Sequence, residues 1–284
     1  MGPLPLYIRR IIAFVFGLLF FIVLAVVLVY ATGYRLVDRF TLEQTGGVHI
    51  SIAPTNAILS INGEEMGVSS FLNKSFFLDH LPHGAYEIAV QKEGYIPWKK
   101  TLIVERSLVT GASAFMVPSE VVLLEIVSEG DSSTISTTTR LVAENEYDAL
   151  LALFKAPTSS LLSATATTTV ENVPDPIERI IRDGNVYVHW NRDLSRAPNA
   201  FCVTPRACVV EISVELSPAE VVRAEFFREG IVYQTSEGSV YFSEIDVKQP
   251  QITALLFEAP GAEFRIYKDE MIIKDAKRLF VVVL

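Results

Sequence analysis

An uncharged apolar stretch near the N-terminus limits what this chain can fold into more than any other feature. Residues 11–31 read IIAFVFGLLFFIVLAVVLVYA and contain no charged side chain. About 20 consecutive apolar residues are what a helix needs to cross the hydrocarbon core of a bilayer. A core helix of a water-soluble domain would show a polar face, and this stretch has none. The sequence therefore predicts a transmembrane helix at 11–31 behind a short cytoplasmic tail at 1–10.

A cleaved signal peptide is the main alternative for this stretch. Val29–Ala31 has the small-residue pattern of a cleavage site, but the apolar core of a signal peptide usually runs to only about 7–15 residues. Orientation is less clear, because Arg9 and Arg10 precede the helix while Arg35 and Arg39 follow it. The positive-inside bias favours a cytoplasmic N-terminus only slightly.

The charge balance of the remaining chain excludes one class of partner. The 284 residues carry a formal net charge of -9, and residues 47–284 hold 20 of the 24 basic and 31 of the 33 acidic side chains, or -11. Such a surface repels phosphate backbones, so we expect no nucleic acid among the partners.

After a juxtamembrane linker at 32–46, residues 47–105 alternate apolar and polar positions in short runs broken by turn signals. Period-two alternation is typical of antiparallel strands with one buried face. Asn62-Gly63 supplies the positive-φ pair of a tight hairpin, and Tyr86, Ile88 and Val90 share one strand face. The pattern predicts a small β-domain whose core is closed by aromatic side chains such as Trp98.

The order of these signals resembles the PEGA domain. The matching residues are Pro54–Ala57, the hairpin at Ile61–Gly63, Leu81–Tyr86 and Lys92–Tyr95. Where the family has Pro-Glu-Gly-Ala this chain has Pro-Thr-Asn-Ala, and asparagine also visits the left-handed conformation that glycine favours. The resemblance covers about a fifth of the chain. It implies a non-catalytic β-sandwich of the kind found in bacterial and archaeal envelope proteins.

Two Ser/Thr-rich runs, at 128–139 and 163–169, are predicted loops, and the first lies in a connecting segment at 106–140. Between them, Tyr147, Leu150, Leu151 and Phe154 have helical spacing, although an edge strand is an alternative.

Short strands return after the second Ser/Thr run. Three Gly-ended hairpin units, at 183–187, 229–233 and 237–241, suggest propeller blades. The fold class predicted is mainly β: an N-terminal transmembrane helix, a small PEGA-like β-sandwich, then a partial β-propeller or twisted β-meander at 141–284 with some four blades. The apolar ending 279–284 should be paired inside a sheet.

Cys202 and Cys208 are the only cysteines. The five residues between them include a proline, which suits a hairpin-closing disulfide in an oxidising compartment. Two buried thiols are the alternative. The spacing is not that of a C-x-x-C metal or redox motif.

Candidates for metal binding and catalysis are weak. His80 and His83 flank Leu-Pro beside Asp79, but the proline breaks the helix that would place both rings on one face. Glu237, Glu244 and Asp246 could be imagined as a glycosidase pair, yet solvated strand faces are expected for such acids. We therefore predict no catalytic residues, no metal and no cofactor.

Arg192, Arg196 and Arg206 form the one predicted basic patch on this acidic chain. It could contact an anionic polymer or an acidic partner surface; pairing with Asp193 and other nearby acids is the alternative. We predict a non-catalytic, single-pass protein of the cytoplasmic membrane with its N-terminus inside, whose extracytoplasmic β-domains bind a partner protein or a cell-wall or surface polymer. A sensory or regulatory ectodomain of a membrane complex is the second hypothesis, and a wall-active hydrolase the third.

Overall fold

The computed structural model of the chain describes residues 5–37, 41–131, 138–155, 176–216, 220–258 and 260–283. Its first element is the long helix α1 (Leu6–Ala31), which begins ahead of the uncharged stretch. Mean hydropathy over Tyr7–Ala31 is 3.3, and the rest of the chain buries none of this surface. At 26 residues the helix is about 39 Å long, enough to cross a bilayer. By length and composition α1 indicates association with a membrane.

The predicted juxtamembrane linker contains a hairpin of two short antiparallel strands, β1 (Tyr34–Val37) and β2 (Thr41–Gln44). The hairpin returns the chain to the end of α1. There the Gln44 side-chain amide donates to the Thr32 carbonyl at 3.3 Å, and the Thr45 backbone N–H donates to the Gly33 carbonyl at 3.0 Å. The next strand therefore starts directly beside the helix end.

Seven strands then form a β-sandwich, here called the first sandwich. They are β3 (Gly46–Ile52), β4 (Ile58–Ile61), β5 (Glu64–Val68), β6 (Ser75–Leu81), β7 (Gly84–Gln91), β8 (Trp98–Val104) and β9 (Val109–Ala114). One sheet has the order β6-β3-β9 and the other β5-β4-β7-β8. Inward residues alternate along the strands, and Ile88, Val90 and Trp98 are fully buried as predicted.

Two predicted backbone features of the first sandwich are confirmed. Asn62 and Gly63 have φ values of 49° and 84°, which form the tight turn between β4 and β5. Asn56, at the position where the PEGA motif has a glycine, has a φ of 58°. Asparagine therefore supplies the left-handed conformation that this turn requires.

The first sandwich extends past residue 105. Strand β9 pairs in parallel with β3, from Gly47 opposite Val109 to Ile52 opposite Ala114. A parallel neighbour needs a crossover, and the chain between β3 and β9 supplies it with the other five strands. The predicted connecting segment thus contributes a full strand to the first sandwich.

The remaining described residues form the C-terminal region. Its elements are β10 (Val122–Ser128), β11 (Thr139–Val142), α2 (Glu144–Leu153), β12 (Ile177–Arg182), β13 (Asn185–Trp190), β14 (Cys202–Thr204), β15 (Ala207–Cys208), β16 (Glu211–Ser213), β17 (Val221–Phe227), β18 (Gly230–Thr235), β19 (Ser239–Glu244), β20 (Thr253–Glu258), β21 (Glu263–Tyr267), β22 (Glu270–Asp275) and β23 (Arg278–Val283). Helix α2 is the predicted helix, and its Leu150 is buried against the last sheet.

Three larger sheets divide this region, with the orders β12-β13-β16, β17-β18-β19-β20 and β11-β10-β23-β22-β21. Each is built mainly of antiparallel neighbours, as expected for a twisted β-meander. In the described ranges the larger sheets number three, beside the two-stranded sheet β14-β15, where the repeated hairpin units suggested some four blades. The run at 163–169 and residues 132–137 of the first Ser/Thr run lie outside the described residues.

The C-terminal strand β23 is covered on both edges. It pairs with β22 on one side and with β10 on the other, with Val281 opposite Leu124 and Ile272. The apolar ending is therefore inside a sheet, as predicted, because an exposed edge of this composition would aggregate. Strand β10, from the predicted connecting segment, completes the last sheet.

One hydrophobic core joins the two parts of the molecule. Buried side chains of the first sandwich, such as Trp98 and Leu102, belong to the same packed cluster as Phe242 and Phe264 of the C-terminal region. The rings of Phe115 and Phe242 lie 5.1 Å apart. The β-modules predicted from the sequence therefore pack directly against each other.

Candidate functional site

Four charged side chains meet where the first sandwich contacts the C-terminal region, and we call them the interface ion cluster: Lys100, Glu244, Asp246 and Lys248. All are at most 4% exposed. The Lys100 ammonium lies 3.0 Å from Glu244 Oε2 and 3.0 Å from Asp246 Oδ2, and the Lys248 ammonium lies 3.4 Å from Asp246 Oδ1. Two cations thus face two anions in a water-poor setting.

Neutral donors and acceptors complete the cluster. Trp98 Nε1–H donates to Glu244 Oε1 at 3.0 Å, and the Ile252 backbone N–H is 3.2 Å from Glu244 Oε2. The Lys100 ammonium also donates to the Lys248 carbonyl at 2.9 Å, while the Lys248 ammonium donates to the Asn199 carbonyl at 2.6 Å. Buried charges are tolerated when they are paired and hydrogen-bonded in this way.

Burial shifts the pKa of two of these groups. It raises the pKa of Glu244, against the attraction of Lys100 and the hydrogen bond from Trp98. Burial lowers the pKa of Lys248, and the nearby Asp246 carboxylate opposes that shift. Desolvation is thus the largest cause in both residues, and the ion pairs offset it in part.

The expectation that Glu244 and Asp246 lie on a solvated face is wrong. Strand β18 and almost all of β19 are buried on both faces, because the first sandwich covers the side that an isolated meander would leave in water. The burial of Lys100 could be predicted from the sequence. It alternates in phase with Trp98 and Leu102, so its side chain points into the core.

A cleft opens beside the interface ion cluster. Its volume is about 660 Å³, and both parts of the molecule line it. His49, Ser51 and Ser113 come from the first sandwich, and the two serine hydroxyls lie 2.9 Å apart. The C-terminal region contributes apolar side chains and charged ones, including Phe201, Phe226, Arg228, Glu229, Glu244, Asp246 and Lys248. Small-molecule and chain-like ligands bind in clefts of this size with mixed linings.

The histidines that suggested a metal site have separate partners. His80 Nδ1 lies 3.0 Å from the Asp79 carboxylate, and its Nε2 contacts the Arg35 guanidinium. His83 Nδ1 contacts the Val104 carbonyl at 2.7 Å. Among the residues that the structure describes, no group of three or more His, Cys, Asp or Glu side chains could hold a metal ion.

Cys202 and Cys208 are joined by a disulfide bond in the structure. They pair across the short hairpin β14–β15, opposite each other in the strand register. The hairpin lies against the first sandwich at β8. The bridge therefore closes a loop that reaches from the C-terminal region to its neighbour.

The three arginines of the predicted basic patch are all exposed. Arg206, at the tip of the disulfide hairpin, lies beside Glu105 of the first sandwich, with Nε 3.8 Å from Oε2. Hydrogen bonds from the Ser195 side chain and from the Ser195 backbone N–H, the latter at 2.7 Å, lower the pKa of Asp193. Arg192 and Arg196 form no ion pair within the described part of the chain.

Comparison with known proteins adds little. No family model matches the chain, and no curated protein matches it. A solved structure of a protein of unknown function from Bacteroides fragilis, described as membrane-associated, is similar over 84% of this chain and 94% of its own. Identity is 12% and the TM-score is 0.22, so this likeness supports no conclusion about fold or function.

Proposed function

We propose that this chain is a single-pass protein of the cytoplasmic membrane that binds an extracytoplasmic ligand in the cleft between its two β-modules. In this proposal the first sandwich is a PEGA-like domain, the tail at 1–10 is cytoplasmic, and the β-region acts without catalysis. The ligand is a segment of a partner protein or a chain of a cell-wall or surface polymer.

The proposal depends mainly on the structure of the cleft. Its inner wall carries Glu244, Asp246 and Lys248, whose charges are engaged with one another and with Lys100. An acid or base that is held in a buried ion pair is poorly placed to exchange protons with a substrate. Exposed aromatic and polar side chains on rigid strands are well placed for recognition.

The lining of the cleft favours an elongated ligand with apolar and polar groups. Phe226 is 39% exposed, and Arg228 and Glu229 follow it in the turn before β18. From the first sandwich, Ser51 and Ser113 contribute hydroxyl groups to the lining. A peptide or a sugar chain can stack an apolar face on the phenyl ring and form hydrogen bonds with these groups.

Two features support the proposed orientation. Arg9 and Arg10 lie at the N-terminal end of α1, ahead of the uncharged stretch 11–31, and favour a cytoplasmic N-terminus slightly. The disulfide between Cys202 and Cys208 suits an oxidising compartment.

A photo-crosslinking amino acid at Phe226 tests the cleft in the native membrane. Leu255, on β20 and 47% exposed, is the matched control because it does not line the cleft. We expect a discrete crosslinked product from position 226 and none from position 255. Equal crosslinking at both positions would contradict the cleft, and turnover of wall glycan or peptide by the purified full-length protein would contradict a non-catalytic role.

A regulatory ectodomain is the second candidate, and the contact between Arg35 and His80 favours it. Arg35, in β1, also donates to the carbonyl of Tyr30 in α1 at 3.0 Å, and His80 lies near the end of β6, so a change in the first sandwich has a short route to the helix. A pulldown of full-length protein separates the two: a stable partner with its own membrane spans supports regulation, and wall material or a secreted protein supports binding alone.

A further inference from the structure

We propose that a second pocket, beside the end of α1, binds the phosphoethanolamine headgroup of a membrane phospholipid. The pocket has a volume of about 720 Å³, and its lining residues are Gln44, His83, Glu105, Arg106, Ser107 and Arg206. It is separate from the cleft between the modules, so this inference does not depend on the ligand of that cleft. We call it the membrane-proximal pocket.

Hydrogen bonds fix this pocket at the end of the helix. Gln44, one of its lining residues, donates to the carbonyl of Thr32, the residue that caps α1. The backbone N–H of Ser107, another lining residue, donates to the Thr45 carbonyl at 3.0 Å, and Thr45 N–H donates to Gly33 at 3.0 Å. If α1 spans the bilayer, these residues lie at the level of the lipid headgroups.

Close backbone packing makes the position rigid. A Cβ atom added to Gly46 would lie 2.1 Å from the Glu105 carbonyl oxygen and 2.8 Å from that of Leu108. The turn at 105–108 is therefore pressed against the first residues of β3. Glu105, Arg106 and Ser107 cannot move away from the helix end without breaking this contact.

The pocket combines two cations with one anion. Arg106 is exposed and forms no ion pair with any residue that the structure describes. Arg206 is brought in by the disulfide hairpin, and its side chain is 74% exposed. Two guanidinium groups at the headgroup level of a net acidic ectodomain suit a phosphodiester, which arginine binds through charge-assisted hydrogen bonds.

Glu105 indicates that the ligand also carries an amine. Its Oε2 atom is buried and has no hydrogen-bond donor in the described residues. Arg206 Nε is 3.8 Å away, which is close enough for attraction and too long for a hydrogen bond. A carboxylate that is partly withdrawn from water and lacks a donor is costly. The Glu105 side chain is 22% exposed, so a primary ammonium in the pocket can reach its exposed part and supply an N–H and a positive charge. Phosphoethanolamine places such an ammonium next to its phosphate.

Phospholipids with choline or glycerol headgroups distinguish the contribution of the phosphate from that of the primary amine. Phosphatidylcholine keeps the phosphate and the positive charge, but its quaternary ammonium has no N–H to donate to Glu105. Phosphatidylglycerol keeps the phosphate and has no cation, so Glu105 would repel it. We therefore expect the pocket to prefer phosphatidylethanolamine over both lipids.

The test is native mass spectrometry of the full-length protein in mixed micelles with equimolar phosphatidylethanolamine, phosphatidylcholine and phosphatidylglycerol. We expect one retained phosphatidylethanolamine per chain, favoured over each other lipid by about ten-fold, as expected for a charge-assisted hydrogen bond. Equal retention of the three lipids, or a preference for phosphatidylglycerol, would overturn the proposal.

Substitutions test whether the lipid preference arises in the membrane-proximal pocket. Glu105→Gln should abolish the preference over phosphatidylcholine, and Arg106→Ala and Arg206→Ala, both at exposed positions, should each lower retention of all three lipids. Arg278→Ala, at an exposed position that does not line the pocket, is the control and should change nothing. If Glu105→Gln keeps the preference, or if the control variant lowers retention as much as the pocket variants do, the assignment is wrong.

Excess soluble O-phosphoethanolamine distinguishes headgroup capture from contact between acyl chains and α1. It should displace the retained lipid if the pocket holds the headgroup. Undiminished retention would place the lipid on the helix alone and would overturn the proposal.

Discussion

The indole Nε1–H of Trp98, on strand β8 of the first sandwich, donates a 3.0 Å hydrogen bond to Glu244 at the end of β19 in the C-terminal region. Both side chains are buried, and 146 positions of sequence separate them. Lys100, two residues beyond Trp98 on the same face of β8, binds the other oxygen of the Glu244 carboxylate. One carboxylate thus ties two neighbouring inward side chains of one module to the other module.

Replacing Lys100 by Met should destabilise the whole β-region. The change leaves Glu244 buried without its cation, which typically costs about 3–5 kcal/mol. Lys99→Met is the matched control, because Lys99 pairs with Glu87 at the surface and such pairs contribute less than about 1 kcal/mol. Thermal or urea unfolding of the full-length protein in detergent measures both.

A second substitution checks the cause of this loss. Adding Glu244→Gln to Lys100→Met removes the unpaired charge, so the double variant should be more stable than Lys100→Met alone. If Lys100→Met costs no more than Lys99→Met, the interface ion cluster does not hold the modules together.

The raised pKa of Glu244 gives stability a defined pH dependence. Because burial raises its pKa above the ordinary value of 4.5, the folded state binds this proton more tightly than the unfolded state does. The stabilisation that the folded state gains by binding this proton is fully present below pH 4.5. It is lost as the pH rises through the higher pKa that Glu244 has in the folded state. The unfolding midpoint of Glu244→Gln should lack this dependence, so the wild-type advantage over the variant should shrink with rising pH. If the unfolding midpoints of the wild type and of Glu244→Gln changed in parallel with pH, the pKa of Glu244 would be the same in the folded and unfolded states.

Much of the fold follows from local sequence signals. The helix α1, the turn at Asn62-Gly63 and the buried faces of β7 and β8 depend on hydrophobic period and turn chemistry, which act within a few residues. The burial of the C-terminal strand could also be predicted, because an apolar edge must be covered. The pairing of this strand with β10 could not be predicted, because no local sequence signal links Leu124 to Val281.

The candidate sites were harder to predict because distant segments build them. The alternation in β19 predicts one solvated face, and only the arrival of the first sandwich buries Glu244 there. Closeness in sequence groups Arg206 with Arg192 and Arg196, whereas the disulfide hairpin places Arg206 beside Glu105. Lys100 is the exception. A lysine on the buried face of a strand needs an anionic partner, and this can be predicted from the alternation alone.

The disulfide between Cys202 and Cys208 should form in the native compartment and stabilise the hairpin that carries Arg206. Closing a loop this short contributes about 2 kcal/mol through the entropy of the unfolded chain. Mass spectrometry of unreduced peptides from protein purified without reductant should find the two cysteines linked. The Cys202→Ser, Cys208→Ser double variant should unfold at lower urea concentration, and free alkylatable thiols in the native protein would contradict the bridge.

Replacing Arg192, Arg196 and Arg206 together by Ala should weaken binding to wall or membrane fractions at low salt. Exposed arginines act on anionic surfaces through screened charge attraction, so the difference from wild type should disappear at high salt. Exposed Arg278, which pairs with Asp275 at 3.0 Å, offers a control substitution away from the three. Binding that is insensitive to salt and unchanged in the triple variant would exclude this basic patch as a contact surface.

The proposed topology predicts which side of the membrane each part of the chain faces. Leu72 is 92% exposed on a loop of the first sandwich, so a cysteine there reacts readily if the loop faces the outside. In a background with both native cysteines replaced by Ser, Leu72→Cys should react with a membrane-impermeant maleimide in intact spheroplasts. Gly2→Cys, in the tail before α1, is the matched control and should react only after the membrane is made permeable. Arg9 and Arg10, ahead of the uncharged stretch 11–31, favour this orientation only slightly, because Arg35 and Arg39 follow the stretch. The labelling pattern is therefore decisive: reaction at Gly2→Cys alone in intact spheroplasts would place the β-region in the cytoplasm, where a glutathione-reduced environment would also disfavour the disulfide.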